Sequence, residues 1–351
     1  MPSKRNSKKD LERLKRINIY AKQVDDLYKK TIDESVRMAQ SQDIDPDKPF
    51  QFKYYPVIKK RSEKLFNDFA AELNVIISTG IRKEWEAANL VNDELVNSVL
   101  NTSKLPKEVI SKYMNRNLEA LNTFQNRKLD DGLGLSERIW LYKDKFRNEI
   151  EMSLDIGIGE GKSAIEIAQD VQQYLKHPDN LFRRVRDKRG KLQLSKNAKA
   201  FHPGQGVYRS SYKNASRLTR SVINMAYLES EYERYQQLDF VVGIEVVLSE
   251  THSILDICDY LQGRYPKDFK YIGWHPCDMC HVIPIRYTKD EFRETQGMLY
   301  RGEDISNFKS VNAVKSVPIG FNNWVNDNAE RISGWKSKPY FLRDNAKFIE
   351  N

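Results

Sequence analysis

The chain has 351 residues, 40% hydrophobic and 11% aromatic, a globular composition with apolar material for about two or three domains. No apolar run approaches the roughly 18 residues that a membrane span needs, and the Lys-rich N-terminus has no apolar stretch behind it, so neither a membrane nor export is expected. Three cysteines are too few for a disulfide framework and fit a reducing compartment, while the formal charge of +9 is confined to one window described below.

In chain order, the front of the sequence reads as helix. Residues 3–44 contain neither Pro nor Gly, and Leu11, Leu14, Ile17, Ala21, Val24, Tyr28, Ile32 and Val36 recur at steps of three or four, which predicts one amphipathic helix ended by Pro46, Pro49 and Pro56. A second Pro-free stretch, 57–105, is interrupted only by Gly80 and carries Leu65, Phe69, Leu73 and Ile76 before it and Trp85, Leu90, Leu95 and Leu100 after it. Further helices are expected over about 106–124, where Pro106 suits a first turn, and over about 136–154. Residues 1–154 therefore form a helical scaffold region.

Gly157, Gly159 and Gly161, followed by Lys162 and Ser163, imitate a phosphate-binding loop. The spacing fails, because the position five before the Gly-Lys glycine is Ile156, and the upstream segment reads as helix and not as a buried strand. The expectation is a glycine-rich break before an amphipathic helix, with Ser163 as N-cap and Glu166 in the capping-box position ahead of Ile167, Val171 and Leu175.

The basic window follows. Between residues 183 and 220 there are twelve Lys or Arg against the single acid Asp187, so this segment carries +11 and leaves the rest of the chain at −2. Residues 182–185 and 191–194 flank Asp187-Lys188-Arg189-Gly190, a hairpin pattern. Beyond it, Phe201, Tyr208 and Tyr212 alternate with basic residues. Cations neutralise phosphates and aromatic faces stack on bases, so Arg183, Arg184, Arg186, Lys188, Arg189, Lys191, Arg209 and Lys213 are candidate nucleic-acid contacts. A solvated arm, or one docking on an acidic protein surface, accounts equally for charge alone.

A helix is expected again from 218 to 238, on Leu218, Val222, Met225, Tyr232 and Tyr235, and the β-branched run over 240–248 predicts a strand. All three cysteines, Cys258, Cys277 and Cys280, then fall within 23 residues, together with His252, His275 and His281. Cys258 followed by Cys277-Asp278-Met279-Cys280 has the form of a zinc knuckle, in which two loops present soft ligands to one tetrahedral ion, with His275 or His252 as the fourth ligand. Such a closed site is structural. Inert buried thiols and a redox pair are the other readings, although the segment after Cys280 reads as strand and not as the helix a redox pair uses.

At this point the order of motifs resembles a known family. Arg217 to Tyr227, the strand at 241–248, Asp256-Ile-Cys-Asp-Tyr-Leu-Gln-Gly263, then Trp274-His275-Pro276 leading to Cys280 and Pro284, resembles the C-terminal domain of phage Mu F-like minor head proteins. The glycine-then-helix segment at 157–175 resembles the family's middle region, so the likeness spans about 157–287. Ser221 and Val222 stand where the family tends to have Thr and Glu, and Asp278 and Met279 replace the first Cys and the Arg of the His-Pro-x-Cys-Arg-Cys pattern. The resemblance implies a structural, non-enzymatic minor capsid protein of a tailed phage or prophage, with portal and capsid proteins and packaged DNA as partners. It also implies location in the virion, at the head interior or portal vertex, after assembly in the host cytoplasm. The expected fold is α+β: a helical region at 1–154, a small mixed α/β domain at 155–288 that includes the basic arm at 183–220 and the possible zinc knuckle, and a helical extension at 289–351. A metal-dependent nuclease or effector using His252, Asp256, His275 and Asp278, and a DNA-binding accessory protein, are the alternatives.

Overall fold

Where the sequence is free of proline and apolar at helical spacing, the chain forms long helices: α1 (Lys8–Gln40), α2 (Pro56–Val99), α5 (Leu135–Gly159) and α7 (Ser211–Gln237). The computed structural model describes residues 7–45, 50–128, 132–178, 184–186, 192–194, 208–250, 252, 255–335 and 338–349. Shorter helices are α3 (Lys107–Tyr113), α4 (Leu118–Asn126), α6 (Ala164–Lys176), α8 (Ile257–Leu261), α9 (Lys289–Tyr300), α10 (Ile319–Asp327), α11 (Ala329–Ser333) and α12 (Tyr340–Arg343). The strands are β1 (Arg184–Arg186), β2 (Leu192–Leu194), β3 (Val241–Val247), β4 (Gly263–Tyr265) and β5 (His281–Arg286). The class is α+β with a helical N-terminal half, as expected. No helix among the described residues is long and apolar enough to cross a membrane.

Gly80 does not break α2, which runs 44 residues through it. A glycine costs a helix about 1 kcal/mol relative to alanine, and burial of Phe66, Phe69, Leu73, Ile77, Ile81 and Trp85 along α2 outweighs that. The stretch expected over 106–124 is two helices. Asn117 takes a left-handed backbone, φ 52°, between α3 and α4, and the turn is pinned where Trp85 Nε1 donates to the Arg116 carbonyl at 2.8 Å.

The contacts divide the chain into two compact units, each assembled from non-contiguous segments. One comprises Asn18–Ser78 and Asp131–Arg220. Its core joins Val24, Tyr28, Ile32 and Val36 of α1 to Phe66, Phe69 and Leu73 of α2 and Phe146, Ile150 and Leu154 of α5, with the Tyr28 ring 4.4 Å from Phe146 and 4.8 Å from Phe69. The glycine-rich segment is not a loop throughout: α5 continues to Gly159, and Gly161, at φ +68°, makes the turn into α6. The capping box of Ser163 and Glu166 is formed as the sequence predicts. Gly157 serves packing. A Cβ there would lie 2.5 Å from Ile167 Cγ1, so α5 and α6 approach closely only because that position is glycine. β1 and β2 pair antiparallel with Arg184 opposite Leu194, as the hairpin pattern expects, while its turn residues, 187–190, lie outside the described residues.

The other unit comprises Met1–Ile17, Thr79–Asp130 and Ser221–Asn351. It holds a three-stranded antiparallel sheet in the order β4-β3-β5, with Ile244 opposite both Tyr265 and Pro284. Residues 338–349 pack back on this unit. Phe341 stacks edge-on to Trp274 at 5.5 Å, Phe321 meets Tyr265 and Phe269, and Asn345 Oδ1 accepts from Lys270 N at 2.7 Å while its Nδ2 donates to the Lys270 carbonyl. The helical extension thus packs its aromatic residues against the loop between β4 and β5.

Candidate metal centre

Two short loops of the sheet-bearing unit bring the thiols together. The first is the start of α8, where Asp256 is the N-cap: its Oδ1 accepts from Cys258 N at 2.7 Å, and Asp259 reaches back to Asp256 N at 2.9 Å. This reciprocal cap places Cys258 in the first turn, 1% exposed. The second is the loop before β5, folded around Asp278. One oxygen of that carboxylate accepts from Trp274 N at 2.7 Å and from Tyr271 Oη at 3.0 Å, and the other accepts from Cys280 N at 2.8 Å. Asn224 Nδ2 of α7 donates to the Asp278 carbonyl at 2.7 Å and ties the loop to the helix.

Cys258, Asp278 and Cys280 are all buried, and their ligand atoms lie within 4.8 Å of one another. Cys258 joins a second such group with half-buried His252 and Asp256. His275 Nε2 lies 3.2 Å from Cys258 Sγ and 3.2 Å from Asp256 Oδ2, while its Nδ1 is 2.9 Å from the Pro276 carbonyl. The ring thus has an acceptor at each nitrogen, the Pro276 carbonyl at Nδ1 and the Asp256 carboxylate at Nε2, and it presents Nε2 to the thiol. His252 Nε2 is held by Asp259 at 2.8 Å.

Cys277 is differently placed. Its backbone is left-handed, φ 62°, and it turns toward α7, where its N–H donates to Ser221 Oγ at 2.9 Å and its Sγ lies 3.8 Å from that hydroxyl. Neither group of three includes it. Asp278 stands in the centre instead. The signal for Asp278 is an acid between two cysteines in a run that leads into a strand. Such an acid is expensive to bury unless several donors converge on it.

The donor set suits a soft divalent ion. Metal–sulfur bonds of about 2.3 Å and metal–nitrogen bonds of about 2.0–2.1 Å put tetrahedral sulfur and nitrogen roughly 3.6 Å apart, close to the Cys258–His275 separation. The neighbouring Cys280 thiol and burial push the Cys258 thiol well above its ordinary range, with Asp278 adding to the effect. A cation bound here would have to displace the Cys258 thiol proton against that shift.

Of the candidate nucleic-acid contacts, Arg183, Lys188, Arg189 and Lys191 lie outside the described residues, and Arg184 and Arg186 are on β1. Arg209 and Lys213 adjoin exposed Tyr208. The ring of Tyr208 has Lys213 Nζ at 5.6 Å and Arg217 Cζ at 5.1 Å, and Lys145 Nζ donates to its carbonyl at 3.2 Å. Asn214 holds the Tyr208 backbone from both sides, accepting from its N–H at 2.9 Å and donating to its carbonyl at 2.7 Å. Scans against protein-family models, curated proteins and solved structures find no match to this chain.

Proposed function

We propose that the chain is a structural minor head protein of a tailed phage or prophage, of the kind its motifs resemble, working at the portal vertex beside packaged DNA. The observation that supports this most is that Cys258, at the start of α8, meets two motif residues of the loop before β5, lying within 4.8 Å of Cys280 and 3.2 Å from His275. Residues that converge in this way constrain one another, as those of a shared motif do. In this reading the ion is zinc, held by Cys258, Cys280, His275 and a carboxylate, Asp278 or Asp256. It supplies cross-linking and not chemistry, joining the α8 turn to the loop before β5. The basic window meets DNA phosphates, with the cluster around Tyr208 as its described part. Co-sedimentation of the purified chain with the portal and capsid proteins encoded beside it tests the proposal. Binding to the portal supports it, and a chain that stays in the supernatant with both overturns it.

A metal-dependent nuclease is a second reading, favoured by one observation: His252, Asp256 and His275 are only half-buried, so one side of the cluster meets solvent. Hydrolysis needs an open ligand position and a general base. Cleavage of plasmid DNA by zinc-loaded protein, lost in His252→Ala, would favour this reading over the structural one.

A further inference from the structure

In the sheet-bearing unit a cavity of about 440 Å³ opens between the start of α1, the end of α2, α7 and β5. That volume falls in the range of roughly 300–1,000 Å³ typical of small-ligand sites. Its buried lining residues are Asn92, Tyr227, Glu231, Tyr235 and His281, and Val91, Leu95, Val282 and Pro284 supply apolar surface.

The acceptors in this cavity are under-used. Glu231 is 6% exposed, and among the described residues its hydrogen bond is a long one, accepted from Tyr235 Oη at 3.4 Å. Asn92 is 1% exposed; its Nδ2 donates to the Ala88 carbonyl at 2.9 Å, and its Oδ1 accepts no hydrogen bond. The cations nearby are directed elsewhere. Lys9 pairs with Glu94 at 2.7 Å, and Arg13, whose Nε and Nη1 make no hydrogen bond among the described residues, donates from Nη2 to the Cys280 carbonyl at 3.2 Å, 3.8 Å from Asp10, with its guanidinium 4.9 Å over the Tyr227 ring. A buried acceptor without a donor costs about 1–3 kcal/mol, so Asn92 Oδ1 points to a donor-bearing guest, and Glu231, with one long hydrogen bond, has room for a second donor. Asp10 and Glu94 outnumber Lys9 on the lining, which disfavours an anionic guest.

We propose that this cavity binds a primary alkylammonium group, with Glu231 as its counter-ion, Asn92 Oδ1 as a second acceptor, and Val91, Leu95 and Pro284 against the aliphatic stem. A free diamine and the lysine side chain of a partner both present that head and stem. The site does not depend on the phage reading.

The groups facing Glu231 are Lys9, Asp10 and Arg13 from α1, Glu94 from α2 and His281 from β5, with Tyr227 and Tyr235 on its own helix. Burial, with Arg13 opposing and Asp10 reinforcing, pushes the Glu231 carboxyl up to about 8. An ammonium bound at pH 7 therefore expels a proton from it, and affinity rises with pH up to about 8 and then levels off.

Titration calorimetry of the full chain with butylamine, butyrate and butan-1-ol tests the proposal. Butylamine should bind saturably and release close to one proton, read from the dependence of the heat on buffer ionisation. Butyrate and butanol should not bind. Glu231→Gln should weaken butylamine about tenfold or more, which is about 1.4 kcal/mol. Because that variant also changes a buried group, Leu95→Trp, which fills the cavity, should abolish binding while the circular dichroism spectrum is kept. Butane-1,4-diamine and a lysine-containing peptide distinguish the two sources by whichever binds tighter. No saturable response to butylamine, equal binding of butyrate, or unchanged affinity in both variants overturns the proposal.

Discussion

His275 Nε2 lies 3.2 Å from Cys258 Sγ, and the same ring is oriented from its other side by the Pro276 carbonyl at 2.9 Å. An imidazole fixed in this way has lost most of the orientational freedom that ligation would otherwise cost, so it is expected to contribute to metal affinity together with the thiols. Elemental analysis of protein purified without chelator should find about one zinc per chain. Cys258→Ser and Cys280→Ser should lose the ion and unfold the region around 256–284 first. The apparent binding free energy of structural zinc is on the order of 10–16 kcal/mol, far above what those short elements gain from packing alone. Cys277→Ser should keep the ion, because Cys277 turns toward Ser221. Loss of zinc in that variant would show that the loop rearranges on binding.

Asp278→Asn isolates the role of the carboxylate. Both of its oxygens accept, from Trp274 N, Tyr271 Oη and Cys280 N, and an asparagine can satisfy only one side. Urea denaturation should show a loss of about 1–3 kcal/mol even in metal-free protein, since a buried donor is left unpaired. A neutral result would mean that the loop is held by its aromatic neighbours instead.

Much of this architecture is legible residue by residue. The steps from Ile17 to Val36 give α1, the β-branched run gives β3, and Ser163 with Glu166 marks the start of α6, because helical and strand periods and capping chemistry are local properties. The split between Cys277 and Cys280 is not legible. A two-residue spacing suggests that both thiols face one ion, yet the left-handed backbone at Cys277 sends it toward Ser221, 56 positions away in sequence. Asp278 is named from the sequence only for the nuclease alternative, and Glu231 is not named at all, for the same reason. What a buried acid does depends on donors from distant segments, and a linear reading shows only the acid. The two units are likewise assembled by α1, α2 and α7, each of which contributes to both, and no composition shift marks such boundaries.

Gly157→Ala should destabilise, although alanine is the better helix former by about 1 kcal/mol. The added methyl would sit 2.5 Å from Ile167 Cγ1, and overpacking of this kind costs about 1–3 kcal/mol. Ile167→Ala should relieve the clash, so the double variant should be more stable than the sum of the two single effects predicts. Thermal denaturation of the four proteins in the cycle measures this coupling, and additivity would refute the close contact.

DNA binding, if it uses the basic window, should weaken with salt, and replacing Arg184, Arg186, Arg209 and Lys213 together should flatten that dependence. Each lost phosphate contact reduces the slope of log affinity against log salt by about 0.9 on duplex DNA. Tyr208→Ala should act through Lys213 and Arg217, which lie against its ring, and should lower affinity without removing a charge. A slope unchanged by the fourfold replacement would assign the window to a protein partner.

Glu231 gives the chain an unusual dependence of stability on pH. Its carboxyl, pushed up by burial to about 8 in the folded protein, returns to about 4.3 when the chain unfolds. Between these values the folded state holds a proton that the unfolded state has released, so stability contributed by this group is full below about pH 4, falls as pH rises, and is lost above about 8. The slope in this window is at most about 1.4 kcal/mol per pH unit, opposite in sign to that of a salt-bridged acid. Other acids titrate in the same range, so the quantity to measure is the difference in unfolding free energy between the wild type and Glu231→Gln at several pH values. Glutamine keeps the volume and cannot ionise. The variant should therefore gain on the wild type steadily from pH 5 to pH 8, and a difference independent of pH would place the Glu231 carboxyl in its ordinary range.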